Sequence, residues 1–281
     1  MTERIDETDQ CYRHPDRPTV LSCSQCGRPI CPACSIDSPV GQRCPECLRT
    51  EGTQRVVQAR EAFGRPRFRQ APVTFSIVGV ALAIQLLAFL APDLAERLTF
   101  DLAMWPRAVA AGEWWRMVTV VLVHGGLIHV GFNMLLTYQL GPVIERQLGS
   151  VSFAGLFLAT AAAGSALMYV VAVPRALDQF GVGASGAVFG LVGAWLAPAV
   201  RRRGTSWGRN ILSQLGFLLL INAAVPFIVP NVAWEAHLGG LVAGFGIGWV
   251  WTMPAVSRSE TARAAVAAAV LVISLLVPRL I

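Results

Sequence analysis

From about residue 73 onward the chain is a succession of apolar runs, most of them close to twenty residues long, and this pattern removes most folds from consideration. About twenty residues of helix cross the ~30 Å hydrocarbon core of a bilayer, where backbone polar groups must be satisfied within the protein itself. The runs predict helical spans at about 73–91, 118–140, 152–173, 184–200, 209–229, 234–252 and 264–280. The expected class is an all-α, multi-pass integral membrane protein. The first ten residues are polar and acidic, so no cleavable signal peptide is expected, and the first span should act as its own insertion signal.

Charge sets the orientation. The formal net charge is +6, and every basic residue is an arginine. Such a balance could point to nucleic acid, but the arginines gather at the ends of apolar runs, where they orient spans, so no nucleic acid is expected. With the N-terminus inside, the inner face would carry Arg60, Arg65, Arg67, Arg69, Arg146, Arg201, Arg202, Arg203, Arg209, Arg258 and Arg263, and the outer face only Arg97, Arg107, Arg116, Arg175 and Arg279. The positive-inside rule then predicts a cytosolic N-terminus and an outer C-terminus, in a plasma membrane of bacterial type. No internal repeat stands out, which argues against an inverted-repeat transporter.

All seven cysteines fall between Cys11 and Cys47, ahead of the apolar runs. They read Cys11-x2-His14, Cys23-x2-Cys26, Cys31-x2-Cys34 and Cys44-x2-Cys47, four pairs at the spacing of tetrahedral zinc sites and enough donors for two Zn²⁺. A segment of about fifty residues has little core of its own, so metal would supply much of its folding free energy. An odd cysteine count and a cytosolic position argue against disulfides. The order of pairs resembles B-box and other RING-like cross-braced fingers. That resemblance implies one zinc on Cys11, His14, Cys31 and Cys34 and another on Cys23, Cys26, Cys44 and Cys47, with sequential pairing left open by spacing alone. Filled by protein, both sites would be structural, and the head would be a protein-binding or regulatory module for a cytosolic partner. The domains expected are the head at 1–50, an arginine-rich juxtamembrane linker at 51–71 suited to anionic headgroups, a helical core at 72–253 and a seventh span within 254–281.

Chemistry is suggested by ionisable residues in costly places. Of four histidines one is the candidate zinc ligand, and the others, His124, His129 and His237, fall on predicted spans. Gly183-Ala184-Ser185-Gly186 opens the fourth span and Ala236-His237 the sixth. A serine hydroxyl becomes a nucleophile when a base can take its proton. Ser185 lies about 22 Å of helix above Val200, and His237 nearly the same above Thr252, so the two should share a level reached from outside. His129, measured to Pro142, should sit at or just below it. His129 and Asn133, four apart, share a helix face and offer N–H donors for an oxyanion. Gly186, Gly190, Gly193, Gly239, Gly240, Gly244 and Gly248 would let the fourth and sixth spans approach closely. Taken alone, the Gly183-Ala184-Ser185-Gly186 patch reads first as one more small-residue helix-packing patch.

Trp115-Arg116 before the second span, His129-x3-Asn133 within it, Gly183-Ala184-Ser185-Gly186 and Ala236-His237-x2-Gly-x3-Gly, in that order, resemble the rhomboid family of intramembrane serine proteases. The resemblance covers roughly Pro72 to Met253. It implies a six-helix core, and the seventh helix resembles the addition in "six plus one" members. It implies a Ser185–His237 dyad needing no cofactor, and transmembrane protein substrates cleaved near the outer membrane face. It further implies an oxyanion hole of the Ser185 N–H, His129 and Asn133, with Gly183 and Gly186 shaping the bend. Trp115 and Arg116 would belong to a loop beside the core. Glu145 would join helix ends with Thr119 as a partner, His124 would be a support residue, and Phe189, where some members have tyrosine, would pack on the histidine. The rival readings are a catalytically dead relative that binds membrane clients, a metal-dependent membrane protease and a transporter. The first usually lacks the serine or histidine and the second lacks its HExxH.

Overall fold

The computed structural model describes residues 9–38, 41–50, 68–173, 177–228 and 232–281. The chain divides into two compact units, Met1–Arg65 and Pro66–Ile281. Most of the linker expected at 51–71 lies outside the described residues.

In the first unit, β1 (Asp9–Cys11) pairs antiparallel with β2 (His14–Thr19), and β3 (Ile36–Ser38) pairs antiparallel with β4 (Gly41–Arg43). A 3₁₀ turn at Pro32–Cys34 precedes β3, and α1 (Pro45–Thr50) follows β4. Six of its cysteines and Ile30 form the buried cluster, with Tyr12 and Leu21 packed against it. So small an aliphatic centre is what a fold organised by ligand residues would have.

The second unit is helical. Its elements are α2 (Pro72–Leu90), α3 (Pro92–Leu102), α4 (Pro106–Ala110), α5 (Arg116–Thr119), α6 (Leu127–Leu148), α7 (Ser150–Ala172), α8 (Ser185–Arg201), α9 (Ser206–Ile228), α10 (Trp234–Trp251), α11 (Pro254–Ser257) and α12 (Glu260–Leu276). Among the described residues, α2, α6, α7 and the stretch Glu260–Arg279 are long and apolar enough to cross a membrane, whereas α8 is apolar but shorter. The helix α8 lies at the centre, packed by α6, α7, α9 and α10, while α2 lies on α6 and α12 mainly on α7.

Glycines explain the tightest contacts. A methyl on Gly240 would run into the carbonyl oxygen of Gly186, and one on Gly244 into that of Gly190. A methyl on Gly248 would lie 2.7 Å from the Ala194 carbonyl oxygen, so one glycine per turn of α10 faces α8. On its other side α10 meets α7, where a methyl on Gly164 would be 2.6 Å from the Ala236 carbonyl oxygen.

The second span differs from expectation at both ends. Residues 118–126 do not belong to it: α5 ends at Thr119, a 3₁₀ turn covers Val120–Leu122, and Gly126 at φ 122° starts α6. His124 therefore sits in the entry loop and not within the helix. At the other end α6 passes through Pro142 to Leu148, so Pro142 is no marker of depth. A proline forfeits one helical hydrogen bond, and flanking helices in a membrane can support that defect.

Candidate active site

The helix α8 begins at Ser185, directly after a bend at Gly183 with φ 113°. That conformation favours glycine, and a methyl there would also lie 2.6 Å from Cε1 and Nε2 of His129. The bend is pinned from outside the helix: the Gly183 N–H donates to the Val120 carbonyl at 3.1 Å, and the Ala184 N–H donates to Nε2 of His124 at 3.3 Å. Ser185 is the first helical residue, so its own N–H has no acceptor within the helix. The neighbouring amide is committed to His124, and among the described residues the Ser185 amide has no acceptor. His124 thus holds the bend through the backbone, a contact that the sequence signals only by its nearness to His129.

Hydrogen bonds also assign the histidine tautomers. The Gly125 N–H donates to Nδ1 of His129 at 3.3 Å, which places the His129 proton on Nε2, the atom that abuts the Gly183 bend. His124 accepts through Nε2 and therefore carries its proton on Nδ1. The two rings meet edge to face, 5.3 Å between centroids. Asn133 is buried, and its amide nitrogen donates one N–H to the His129 carbonyl at 2.9 Å. The second N–H of that nitrogen remains available.

His237 lies in the first turn of α10, its ring stacked on Phe189 with centroids 4.5 Å apart and planes 11° from parallel. Phe189 is one turn beyond Ser185, so the imidazole covers the face of α8 that carries the hydroxyl. The Gly186–Gly240 and Gly190–Gly244 contacts hold the two helices in that register. Among the described residues, Ser185 and His237 are on abutting helices without a direct hydrogen bond. Beside Ser185 lies a cavity of about 30 Å³, lined by Gly183, Gly186, Met104, Ser165 and Met168 among others.

Support residues fall into two groups away from the hydroxyl. Arg116 is buried, ion-paired with Glu113 at 2.6 Å, and donates to the carbonyls of Phe100 and Ala103, while Trp115 is exposed beside it. Thr119 Oγ1 donates to the Leu102 carbonyl at 2.9 Å, so it ties down the end of α3 and is not the partner of Glu145. Glu145 instead accepts from the N–H groups of Val73 and Thr74 at 2.9 and 2.8 Å, and from the hydroxyls of Thr74 and Ser150, both at 2.7 Å. A carboxylate here caps the N-terminus of α2 and completes its orphan donors. Thr74 and Ser150 went unnoticed in the sequence; Thr74, two residues after a helix-opening proline, was the available signal.

In the first unit, Cys11, His14, Cys31 and Cys34 form one group of donor atoms and Cys23, Cys26, Cys44 and Cys47 another, each with its atoms within 4.8 Å of one another. Four sulfurs about 2.3 Å from one zinc would be roughly 3.8 Å apart, so either group could hold such an ion. These are the alternate pairs of a cross-brace. Each group combines lowered and raised thiols. Burial opposes it at Cys11 and Cys23, but backbone N–H groups outweigh burial and bring both thiols down to about 6. Burial and neighbouring thiols push Cys34 up to about 11, and Cys44 together with burial pushes Cys47 up to about 12. A divalent cation would relieve that crowding of negative charge.

Residues 111–254, about half of the chain, match the Rhomboid domain. The chain is 34% identical over 185 residues to the rhomboid protease GluP of Bacillus subtilis (strain 168), covering 63% of this chain and 35% of that protein. It is 37% identical over 140 residues to the putative rhomboid protease YdcA of the same organism, covering 49% of this chain and 67% of that protein. It is 30% identical over 156 residues to Rhomboid-like protease 1 of Toxoplasma gondii, covering 53% and 51%. The matched stretches thus span from about a third to two thirds of these relatives' lengths.

Proposed function

The chain belongs to the rhomboid family, and on that premise we propose that it is an intramembrane serine endopeptidase in which Ser185 is the nucleophile and His237 the general base. In this reading the Ser185 Oγ attacks a substrate carbonyl while its proton passes to His237. The carbonyl oxygen becomes an oxyanion held by the Ser185 N–H, the Nε2–H of His129 and the spare N–H of Asn133. Collapse expels the amine product, which takes the proton from His237. Water, deprotonated by the same imidazole, then hydrolyses the acyl-enzyme and regenerates the serine. No metal or cofactor takes part in these steps.

The observation that carries the reading is the convergence at one bend of an unpaired helix-opening N–H, a serine hydroxyl and a histidine Nε2–H, with His237 stacked over the same turn. Preorganised donors of this kind stabilise an oxyanion at little reorganisation cost. The substrates proposed are transmembrane segments that unwind near the outer face, since a regular helix shields its carbonyls. A cavity of about 30 Å³ beside the nucleophile suits a small side chain next to the scissile bond. The orientation proposed has the N-terminus in the cytosol of a bacterial-type plasma membrane.

For the head we propose two structural zinc ions on the two four-residue groups, and a cytosolic protein as its partner. The test of the enzymatic reading uses the purified chain in lipid vesicles with a fluorophosphonate or isocoumarin probe and a transmembrane substrate. Probe labelling and cleavage, both lost in Ser185→Ala, are expected. Cleavage retained by Ser185→Ala, or no labelling of the wild type, would overturn it; the latter would favour a client-binding role.

A further inference from the structure

The backbone that delivers Ser185 is fixed differently at its two ends. Next to the serine, Gly183 and Ala184 are bound to Val120 and His124. Further upstream, Leu177–Gly181 is held by the segment between α3 and α4 and by α4 itself. Met104 and Gly181 exchange both backbone hydrogen bonds, at 2.9 and 2.8 Å, as a single antiparallel bridge. The Arg107 N–H donates to the Leu177 carbonyl at 3.2 Å. The Arg107 guanidinium grips both carboxylate oxygens of Asp178, at 2.6 and 2.8 Å, and Trp105 stacks on Phe180 at 5.0 Å.

This is a strap of four contacts between stretches some seventy residues apart in sequence. It acts on the eight residues that run from Asp178 to Ser185. Gly181 is caught between the strap and the core, because a methyl there would lie 2.8 Å from the Met168 sulfur. Gly181 lies two residues before the Gly183 bend, so the strap bears on the backbone that enters that bend. Both ionic partners are largely exposed, so the pair contributes little to folding stability. A two-point guanidinium–carboxylate contact still fixes direction as well as distance.

Building on the protease reading, we propose that Arg107 and Asp178 are positioning residues for that reaction, which set the placement of the Ser185 hydroxyl through the Met104–Gly181 bridge. Neither touches the reacting atoms. Their loss displaces the nucleophile without unfolding the protein, and small displacements at a reacting centre are expensive: about 1 Å can cost ~10²-fold in rate.

The test compares Arg107→Gln, Asp178→Asn and the exchanged pair Arg107→Asp with Asp178→Arg, as full chains in lipid vesicles. Three quantities are read: kcat and KM on a transmembrane substrate, the rate of phosphonate labelling at Ser185, and the thermal midpoint. Each single variant should lose about fivefold to twentyfold in kcat and in labelling rate together, with KM and midpoint unchanged. The exchanged pair should recover to within about threefold, because the same two groups meet again. Singles that keep wild-type kcat and labelling overturn the proposal. So does a loss that follows the thermal midpoint or is not recovered by the exchange, since the pair would then be merely structural. A wild type without Ser185-dependent labelling sinks the protease reading itself, whereas a labelled wild type with unaffected variants sinks only the strap.

Discussion

At the scale of single residues, the site is defined by which atom carries which proton. The Nδ1 of His129 is occupied by the Gly125 N–H, so Nε2 is its only donor, and that donor lies against the bend at Gly183. His129→Ala and Asn133→Ala should each lower kcat about 10²- to 10³-fold with little change in KM, the usual cost of one oxyanion donor. Ser185→Ala and His237→Ala should abolish cleavage. Phe189 offers a subtler check, because its ring is stacked on the imidazole. Phe189→Tyr should retain activity, whereas Phe189→Ala should slow phosphonate labelling by about tenfold as the imidazole loses its stacking partner. Equal labelling rates in the two variants would deny the ring any part in holding the base.

At the scale of elements, two interfaces set the geometry. The first is α8 against α10, where backbone meets backbone. Gly240→Val would force a side chain into the Gly186 carbonyl. It should cost about 3 kcal/mol, the upper end of overpacking penalties, and should remove labelling at temperatures where the wild type remains active. The second is the start of α12. The Arg263 guanidinium donates to the carbonyls of Ser257 and Leu148 at 2.6 and 2.9 Å, and its own carbonyl accepts from the Trp251 indole at 3.0 Å. The Glu260 carboxylate accepts from the Val151 N–H at 3.1 Å. A cation at the C-terminal end of α6 and an anion at the N-terminal end of α7 both oppose the local helix dipoles. The seventh helix is thereby bound to the turn between α6 and α7. Arg263→Leu leaves two carbonyls unpaired, at about 1–3 kcal/mol each, and should lower the thermal midpoint of the whole helical unit. An unchanged midpoint would show that the added helix is bound by apolar contact alone.

At the scale of the whole molecule, the two units are built differently, one gathering eight candidate metal ligands around a small buried cluster and the other packing helix on helix. The full chain is expected to bind two zinc ions, and Cys31→Ser should weaken one of them while sparing the other. Metal analysis of that variant, with each ion followed by release to a chromogenic chelator, checks the alternate pairing. Strong chelation should unfold the head yet leave Ser185 labelling intact, and labelling lost on chelation would revive a metal-dependent mechanism. What depends on residue type and order was legible in the chain alone: apolar runs of membrane length, candidate ligand pairs three residues apart, and serine and histidine motifs in particular apolar runs. The sequence also hinted at the α8–α10 contact, since glycine every fourth residue has few other uses. It took the folded chain to place His124 in a loop, to run α6 through Pro142, to bind Thr119 to Leu102 and not to Glu145, and to set Arg107 on Asp178. The reason is common to all four. Periodicity records which face of a segment is apolar, whereas these outcomes depend on hydrogen bonds and packing between residues remote in sequence, whose partners exist only once the helices have met.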